Sequence, residues 1–263
     1  MTAVDVSVST RTVWRYDGQL LSEQEDPIAK ETPLTIRLDG EEFATIVCTP
    51  SDIEDMVFGF LASEGVIREA NEVTRLQLNT SRGFADVTLL YPERGKVMDH
   101  SKRVIGSCCG KSRQFYLRSD VRTAKTVMTR SRITPDECLK LIRKLQEGSD
   151  VFRQTGGVHN AALCSREKLL VTRTDIGRHN ALDKVYGHCL RERVSMKDTA
   201  VAFSGRVSSE VLLKTAKMGV GILLSKSAPT DLALELADDL GITVIGFIRG
   251  NTFNVYSHPE RLE

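Results

Sequence analysis

The stretch AVAFSGRVSSEVLLKTAKMGVGILLSKSAPTDLALELADDLGITVIGFI, residues 200–248, decides the fold class of this 263-residue chain. Its short apolar runs predict three strands, and the longer segments between them have the periodicity of two helices. The predicted strands are 200–203, 221–224 and 242–248, and the predicted helices are 207–218 and 229–240. This alternation is typical of a layered α/β domain with a largely parallel sheet.

The same alternation begins upstream, near residue 134. Thr134, Pro135 and Glu137 are residue types preferred at the N-cap and in the first turn of a helix. Further strands are predicted at 161–164, 169–172 and 253–256, and a further helix at 181–191. We therefore expect residues 129–263 to form one three-layer α/β domain.

Residues 1–128 follow a different order. Alternating apolar residues on both sides of the turn pair Asp39-Gly40 predict a hairpin at 33–48. Ser51 and Glu54 have the spacing of a capping box, which predicts a helix after the hairpin. Two more strands are predicted at 73–78 and 85–91. The order indicates a small N-terminal α+β unit, so we expect two domains, 1–128 and 129–263.

Composition excludes several functional classes. The net charge of +1 gives no general indication of nucleic-acid binding, and the hydrophobic content of 41% is ordinary for a globular protein. The longest apolar runs are too short to cross a bilayer, and the N-terminus lacks the apolar segment of a signal peptide. We expect a cytoplasmic protein that binds neither nucleic acid nor membrane.

Two of the six cysteines, Cys108 and Cys109, lie together in a loop at 104–113. Gly106 and Gly110 flank the pair, and nearby lysines and arginines would lower the thiol pKa and raise the thiolate fraction. A thiolate can attack a persulfide and then carry its sulfur. The other four cysteines have apolar neighbours and are expected to be small buried side chains; they are Cys48, Cys138, Cys164 and Cys189.

A basic segment surrounds this pair. Residues 101–132 contain nine lysines or arginines and a single carboxylate, Asp120. The segment is either a solvated basic face or a surface for an anionic ligand or an acidic partner. The residues alone do not choose between these interpretations.

Cations, hydroxyls and glycines recur where the predicted strands of the second domain end. In an open parallel sheet, ligands collect at the carboxyl ends of the strands, and helix N-termini favour phosphate. The loops predict a site for a phosphate-bearing ligand; they are Arg173–Asn180 with Asp175, Arg178 and His179, then Ser204 and Arg206, then Ser225 and Lys226, and then Arg249, Gly250 and Asn251.

Two histidines, His159 and His179, each begin the tripeptide His-Asn-Ala. Each is either a hydrogen-bonded structural residue or a ligand contact. No cysteine and histidine spacing typical of zinc is present, so no metal site is expected. No glycine-rich dinucleotide fingerprint follows a strand, which argues against a redox enzyme of that type.

In their order and in their amino-acid sequences, five segments resemble the formate dehydrogenase accessory sulfurtransferases. They are Thr155-Gly-Gly-Val-His-Asn-Ala, Asp175-Ile-Gly-Arg-His-Asn-Ala-Leu-Asp-Lys, Ser204-Gly-Arg-Val-Ser-Ser, Ser225-Lys-Ser-Ala-Pro-Thr and Gly246-Phe-Ile-Arg-Gly. The resemblance covers nearly the whole chain. It implies a cytidine-deaminase-like fold for the second domain, without zinc, and a homodimer.

The same resemblance implies a function. Members of this family accept sulfur from a cysteine desulfurase as a persulfide. They pass it to the bis-molybdopterin guanine dinucleotide molybdenum cofactor, which formate dehydrogenase then receives. The resemblance places the guanine-dinucleotide site on six residues of this chain: Phe247, Ile248, Arg249, Gly250, Asn251 and Thr252. The chain is thus expected to be a sulfurtransferase.

The chain departs from the family pattern at the cysteines. Many members carry Cys-Gly-x-Cys-Gly, whereas this chain has Cys108-Cys109-Gly110. Alignment on Cys-Gly-Lys matches Cys109 to the second family cysteine and puts Gly106 where the first would be, whereas a two-residue gap would match Cys108 to the first. The sequence leaves the choice of persulfide carrier open between the two thiols, with a lean to Cys109. The alternative function is a cofactor-binding and insertion chaperone in which the thiols are not essential.

Overall fold

The computed structural model describes residues 6–96, 103–105, 124 and 126–263, with residues 96 and 103–105 described by their backbone. The cysteine pair lies outside the described residues. The described strands are β1 Val8–Tyr16, β2 Leu21–Ala29, β3 Thr32–Leu38, β4 Glu41–Cys48, β5 Val73–Asn79, β6 Phe84–Leu89, β7 Arg103–Ile105, β8 His159–Cys164, β9 Leu169–Asp175, β10 Ala200–Phe203, β11 Ile222–Ser225, β12 Thr243–Arg249 and β13 Thr252–Val255.

Seven α-helices lie in the described residues. They are α1 Ile53–Ser63, α2 Glu93–Lys96, α3 Pro135–Glu147, α4 Asp150–Thr155, α5 Arg178–Arg191, α6 Ser209–Lys217 and α7 Asp231–Leu240. The helices and strands predicted from residue 134 onward are confirmed with shifts of a few residues at their ends. Helix α4 was not predicted.

The N-terminal unit is built on a five-stranded sheet with the order β5-β6-β3-β4-β7. The predicted hairpin is β3 and β4, which pair antiparallel. Strand β7 runs parallel to β4 at the edge of this sheet, with Ile105 beside Ile46. The order of its predicted elements is confirmed.

Strands β1 and β2 form a separate two-stranded hairpin, which we call the arm and which was not predicted from the sequence. Trp14, Tyr16 and Leu21 of the arm are each more than half exposed. Because both faces of the arm are largely in solvent, its sequence lacks the alternation that a half-buried strand shows. The turn pair Asp17-Gly18 was the signal that could have found it.

The second domain contains a six-stranded sheet with the order β13-β12-β11-β10-β8-β9. Strands β10, β11 and β12 are parallel, whereas β8 pairs antiparallel with both β9 and β10, and β13 returns antiparallel to β12. The expectation of a largely parallel sheet was therefore wrong. The sheet is mixed because β8 and β9 form a hairpin, and a hairpin reverses strand direction without a crossover helix.

Helices cover both faces of this sheet, so the predicted three-layer α/β arrangement is confirmed. On one face Ala162, Ala202 and Leu224 pack with α3. On the other face Leu163, Val201 and Leu223 pack with α5, α6 and α7. Successive residues of one strand thus enter opposite cores, and this is why the strands are apolar throughout.

One apolar core joins the two predicted domains. It includes Ile36 and Leu61 from the first and Leu182 and Phe203 from the second. Helices α1 and α5 pack closely where Gly59 and Gly187 meet, since a Cβ at Gly187 would overlap the carbonyl oxygen of Asp55. The division at residues 128 and 129 stays a prediction.

Two predicted helix starts had different outcomes. The capping box of Thr134 and Glu137 is present at α3. The box predicted for Ser51 and Glu54 is wrong, because α1 begins after Asp52, whose φ of 51° is left-handed and whose side chain makes no capping bond. The preceding Thr49 is bound to Asp175 of the other domain, and this tertiary contact sets the entry of the chain into α1.

The close packing of α1 and α5 predicts the effect of Gly187→Ala. The added methyl group would force two backbones apart, and overpacking of this kind costs about 1–3 kcal/mol or more. Urea unfolding followed by circular dichroism measures the change. Gly156→Ala is the control, because its Cβ meets open space and only the left-handed φ of 63° is penalised, by about 1 kcal/mol. Equal losses in both variants would contradict the packing argument.

Candidate functional site

The predicted ligand residues of the second domain come together at one edge of the six-stranded sheet. Strands β9, β10, β11 and β12 all run in one direction, and β8 runs against them. The carboxyl ends of four strands and the amino end of β8 therefore meet there. We call this the cation edge and define it by His159, Arg178, Ser204, Arg206, Lys226 and Arg249.

His159 and Ser204 are joined directly at this edge. The backbone N–H of Asn160 donates to Ser204 Oγ at 2.9 Å, and Ser204 Oγ lies 3.4 Å from His159 Nδ1. His159 is also the register partner of Asp175 across β8 and β9. His159, which the sequence marked only by the tripeptide His-Asn-Ala, is therefore part of the cation edge.

The next loops are joined in the same way. Ser225 Oγ donates to the carbonyl oxygen of Gly205 at 2.8 Å. Arg249 Nε donates to the carbonyl oxygen of Lys226 at 3.4 Å. The loops that follow β10, β11 and β12 thus form one continuous surface.

Arg178 is the first residue of α5, and it packs beside the loop after β10. A Cβ at Gly205 would lie 3.2 Å from the Cβ of Arg178 and 3.1 Å from the ring of Phe203. Glycine at position 205 therefore permits this helix start and the loop to approach each other. Arg178 also lies close enough to His159 to act on its charge.

The exposed cations of the edge are Arg206, Lys226 and Arg249. They lie at the carboxyl ends of three different strands and face solvent, where an anion can reach them. A partial positive charge at the N-terminus of α5 adds to their field. The arrangement can hold a ligand with several phosphates.

Three of the predicted residues turn inward instead. Asp175 and Ser225 have no exposed surface, and Ile248 is 2% exposed within the core on the α3 side. Both carboxylate oxygens of Asp175 are bound within the protein. These side chains support the edge from behind, and their backbone groups are the parts nearest to a ligand.

His179 faces the neighbouring helix α6. Its Nε2 lies 2.9 Å from Glu210 Oε2 and 3.3 Å from Ser208 Oγ. This pair joins the amino ends of α5 and α6. Glu210 was not predicted, and its position in the first turn after the serine pair was the available signal.

Burial lowers the pKa of His159, and the positive charge of Arg178 lowers it further. The opposing influence of the Asp175 carboxylate is smaller. His159 is therefore neutral at pH 7 and able to accept a proton or a hydrogen bond. Neither His159 nor His179 belongs to a group of three or more potential metal ligands among the described residues. The expected absence of a metal stays a prediction.

The segment Phe247–Thr252 forms the end of the edge. Phe247 has a φ of 52°, a left-handed conformation that is strained for a large side chain, and the pairing of β12 with β13 is irregular here. Its N–H donates to the carbonyl oxygen of Ser227 at 3.1 Å. The guanidinium of Arg249 lies 5.2 Å from its ring centre. Gly250, Asn251 and Thr252 are exposed beside it.

The four described cysteines are buried, as predicted. Burial raises the pKa of each thiol to about 12, so none of them supplies a thiolate near neutral pH. They are Cys48, Cys138, Cys164 and Cys189. Cys108 and Cys109 lie outside the described residues, as does most of the predicted loop at 104–113. Thiol chemistry in this chain thus depends on that pair.

A cavity of about 880 Å³ lies elsewhere, between the end of α1 and the end of α6. None of the predicted ligand residues lines it. Charged and hydroxyl groups converge at the cation edge instead.

Known proteins resemble this chain along its whole length. The family model described as "FdhD/NarQ family" matches residues 29–263. "Sulfur carrier protein FdhD" of Bacillus subtilis (strain 168) is 57% identical over 98% of both chains. The protein of the same name in Staphylococcus aureus (strain MRSA252) is 48% identical over 98% of this chain and 97% of its own.

A solved structure shares the fold. It is the crystal structure of a candidate formate dehydrogenase accessory protein from Desulfotalea psychrophila, with a TM-score of 0.77 and 26% identity. The alignment covers 97% of this chain and 99% of that chain. The N-terminal unit and the three-layer domain thus recur together.

Fold and site define a two-part α/β protein with a cationic edge suited to a phosphate-bearing ligand. The family match and the full-length relatives make the assignment specific: the chain belongs to the FdhD/NarQ family. The resemblance stated from its motifs is confirmed.

The lowered pKa of His159 predicts a pH-dependent stability. Its folded-state pKa lies below the unfolded value of about 6.5, so the unfolded state binds more protons between the two. The free energy of unfolding should therefore fall as the pH is lowered from 7 through about 6.5 and level off below the folded-state pKa. Urea titrations of the protein and of His159→Asn measure it. The variant should lack this component, and identical pH profiles would refute the assignment.

Proposed function

We propose that this chain is a sulfur carrier that serves formate dehydrogenase. It accepts sulfur from a cysteine desulfurase as a persulfide on Cys108 or Cys109 and transfers it to the bis-molybdopterin guanine dinucleotide molybdenum cofactor. Its relatives at 57% and 48% identity bear the name sulfur carrier protein. In this role the protein is a sulfurtransferase.

The uptake step needs only a thiolate. The thiolate attacks the outer sulfur of the donor's persulfide, a new S–S bond forms, the donor's S–S bond breaks, and the donor cysteine leaves as a thiolate. No external oxidant or reductant is required. The described cysteines cannot take this step because burial holds them as thiols.

The observation that carries the proposal is the convergence of cations at the carboxyl ends of four strands, on the cation edge. Arg178, Arg206 and Lys226 follow β9, β10 and β11 in turn, and Arg249 is the last residue of β12. A guanine dinucleotide cargo bears several phosphates, and arginine and lysine are the side chains that bind them. The exposed ring of Phe247 offers a flat apolar surface for a base beside these charges.

Strand β7 lies near the start of α5. Strand β7 ends at Ile105, beside Ile46, and Asn180 Nδ2 of α5 donates to the next carbonyl oxygen on β4, that of Val47, at 2.9 Å. Cys108 follows Ile105 by three residues, which span at most about 10 Å of extended chain. The chain thus leaves β7 toward its cysteine pair close to the start of α5.

We place the protein in the cytoplasm as a homodimer. None of the described helices is long and apolar enough to span a membrane. The arm presents an exposed apolar surface that a second copy of the chain would cover, formed by Trp14, Tyr16 and Leu21.

The alternative is a chaperone that binds the molybdenum cofactor and inserts it without using the thiols. One observation favours it: the charges that a phosphate-bearing cargo requires are supplied by Arg178, Arg206, Lys226 and Arg249, and none of these residues is a thiol. The double variant Cys108→Ala/Cys109→Ala separates the two functions. Full activation of formate dehydrogenase in cells by this variant would favour the chaperone.

The sulfur carrier role predicts a persulfide on the cysteine pair. Incubation with a cysteine desulfurase and cysteine should add the mass of one sulfur to a peptide containing residues 108 and 109, because the exchange moves a single sulfur atom. Mass spectrometry of Cys108→Ala and Cys109→Ala shows which residue carries it, and we expect Cys109. Cys164→Ala, at a buried thiol, is the control and should load normally. A folded protein without the adduct would disprove the carrier role.

The cargo site predicts that Arg249→Ala weakens guanine-nucleotide binding. Loss of a charge-assisted hydrogen bond costs about 1.5–3 kcal/mol, which is roughly a tenfold to hundredfold rise in Kd. Calorimetric titration with GDP measures the change. Arg75→Ala is the matched control, because Arg75 is an exposed arginine on β5 that bonds Gln77. Equal affinities for all three proteins would place the site elsewhere.

A further inference from the structure

A buried ion pair stands behind the cation edge. Lys184 Nζ lies 2.7 Å from Asp175 Oδ2, and neither side chain has exposed surface. Asp175 ends β9 and Lys184 lies on the second turn of α5. Neither reaches the surface, so their effect on function must pass through the groups they hold.

One carboxylate oxygen of Asp175 holds the start of α5. Its Oδ1 accepts from the N–H of Gly177 at 2.8 Å and from Asn180 Nδ2 at 2.9 Å. A Cβ at Gly177 would lie 2.8 Å from that same amide nitrogen, so glycine leaves the room that the amide needs. These bonds place Arg178, the next residue, at the cation edge.

The other carboxylate oxygen holds the end of β4. Asp175 Oδ2 accepts from the N–H of Thr49 at 3.0 Å and from its hydroxyl at 2.9 Å. Lys184 Nζ donates to Thr49 Oγ1 at 2.6 Å. Thr49 directly follows β4, the strand beside which β7 ends.

We infer that Asp175 and Lys184 are a positioning pair for sulfur delivery, holding the cation edge and the end of β7 at a fixed separation. The inference rests on the proposed function, which requires the thiols after β7 and the cargo at the edge to meet. A carboxylate suits this task because its two oxygens accept from both sides at once. The lysine compensates the buried charge that such bonding requires.

The chain contains a matched comparator. Lys214 is paired with Asp183, which also accepts from Ser63 Oγ at 2.5 Å, so this ion pair too is buried and joins the two domains. Asp183 is 2% exposed and Lys214 is 7% exposed. It has the same chemistry and joins the end of α1 to α6, but it touches neither the start of α5 nor the end of β4. Loss of this pair should lower the stability of the protein without moving the cation edge relative to the end of β7.

The experiment compares Asp175→Asn/Lys184→Met with Asp183→Asn/Lys214→Met. Both double variants neutralise a pair with side chains of similar volume, so neither leaves an uncompensated buried charge. Two reactions are measured per amount of folded protein: persulfide loading by a cysteine desulfurase, and activation of formate dehydrogenase in cells that lack their own copy of the gene. Circular dichroism establishes that each variant is folded.

We expect both variants to load persulfide normally. Activation should fall roughly tenfold to hundredfold in Asp175→Asn/Lys184→Met alone, because a displacement of about 1 Å between reacting groups has effects of that size. Normal loading with lost delivery is a result that general destabilisation would not produce. Equal activation by the two variants would overturn the inference and leave the sulfur carrier role standing.

Two further results would also remove the inference. Loss of loading in Asp175→Asn/Lys184→Met would overturn the inference, because the pair would then act on the thiols themselves. Absence of loading in the unmodified protein would remove the proposed function and the inference with it. If the double variant does not fold, Thr49→Val tests the same connection, with Thr215→Val as the control at an equally buried threonine whose hydroxyl donates to the carbonyl oxygen of Val211 within α6. Delivery should fall in the first and not in the second.

Discussion

The ion pair of Asp175 and Lys184 is the contact on which the arrangement of this protein depends. Through it the end of β9, the start of α5 and the end of β4 share one buried centre. Breaking one partner of such a pair costs about 3–5 kcal/mol, because the other charge stays buried and uncompensated. The geometry of the cation edge and the position of β7 are thus set by the same two side chains.

Several charged side chains lie at the interface between the two parts. Asp55 of α1 binds Arg173 and Arg191, and Asp183 of α5 binds Lys214. Ion pairs add little net stability over apolar side chains of the same size, but loss of one partner is strongly destabilising because the other charge stays buried. Close contact at Gly59 and Gly187 limits the alignment further. These contacts fix how α1 packs against α5.

Much of the second domain could be predicted because its signals are local. The strand at Ala200–Phe203 was predicted with its observed bounds, and the loops after four strands were correctly expected to share one edge. The arm was missed because exposure on both faces removes the alternation that marks a strand. The start of α1 was wrong because Thr49 is held by Asp175, which is 126 residues away in the chain. Contacts at that separation leave no periodic trace.

The sequence by itself determined the order of the elements, the charged and hydroxyl residues at the strand ends and the family of the protein. These follow from periodicity and from motifs whose residues are neighbours in the chain. Only the tertiary structure decided that Asp175, Ser225 and Ile248 turn inward while Arg206, Lys226 and Arg249 face solvent. It also decided that β8 runs against its neighbours and brings His159 to the edge. The physical reason is that alternation shows which residues share a face of a strand, whereas packing selects the neighbour of that strand and the face that is buried.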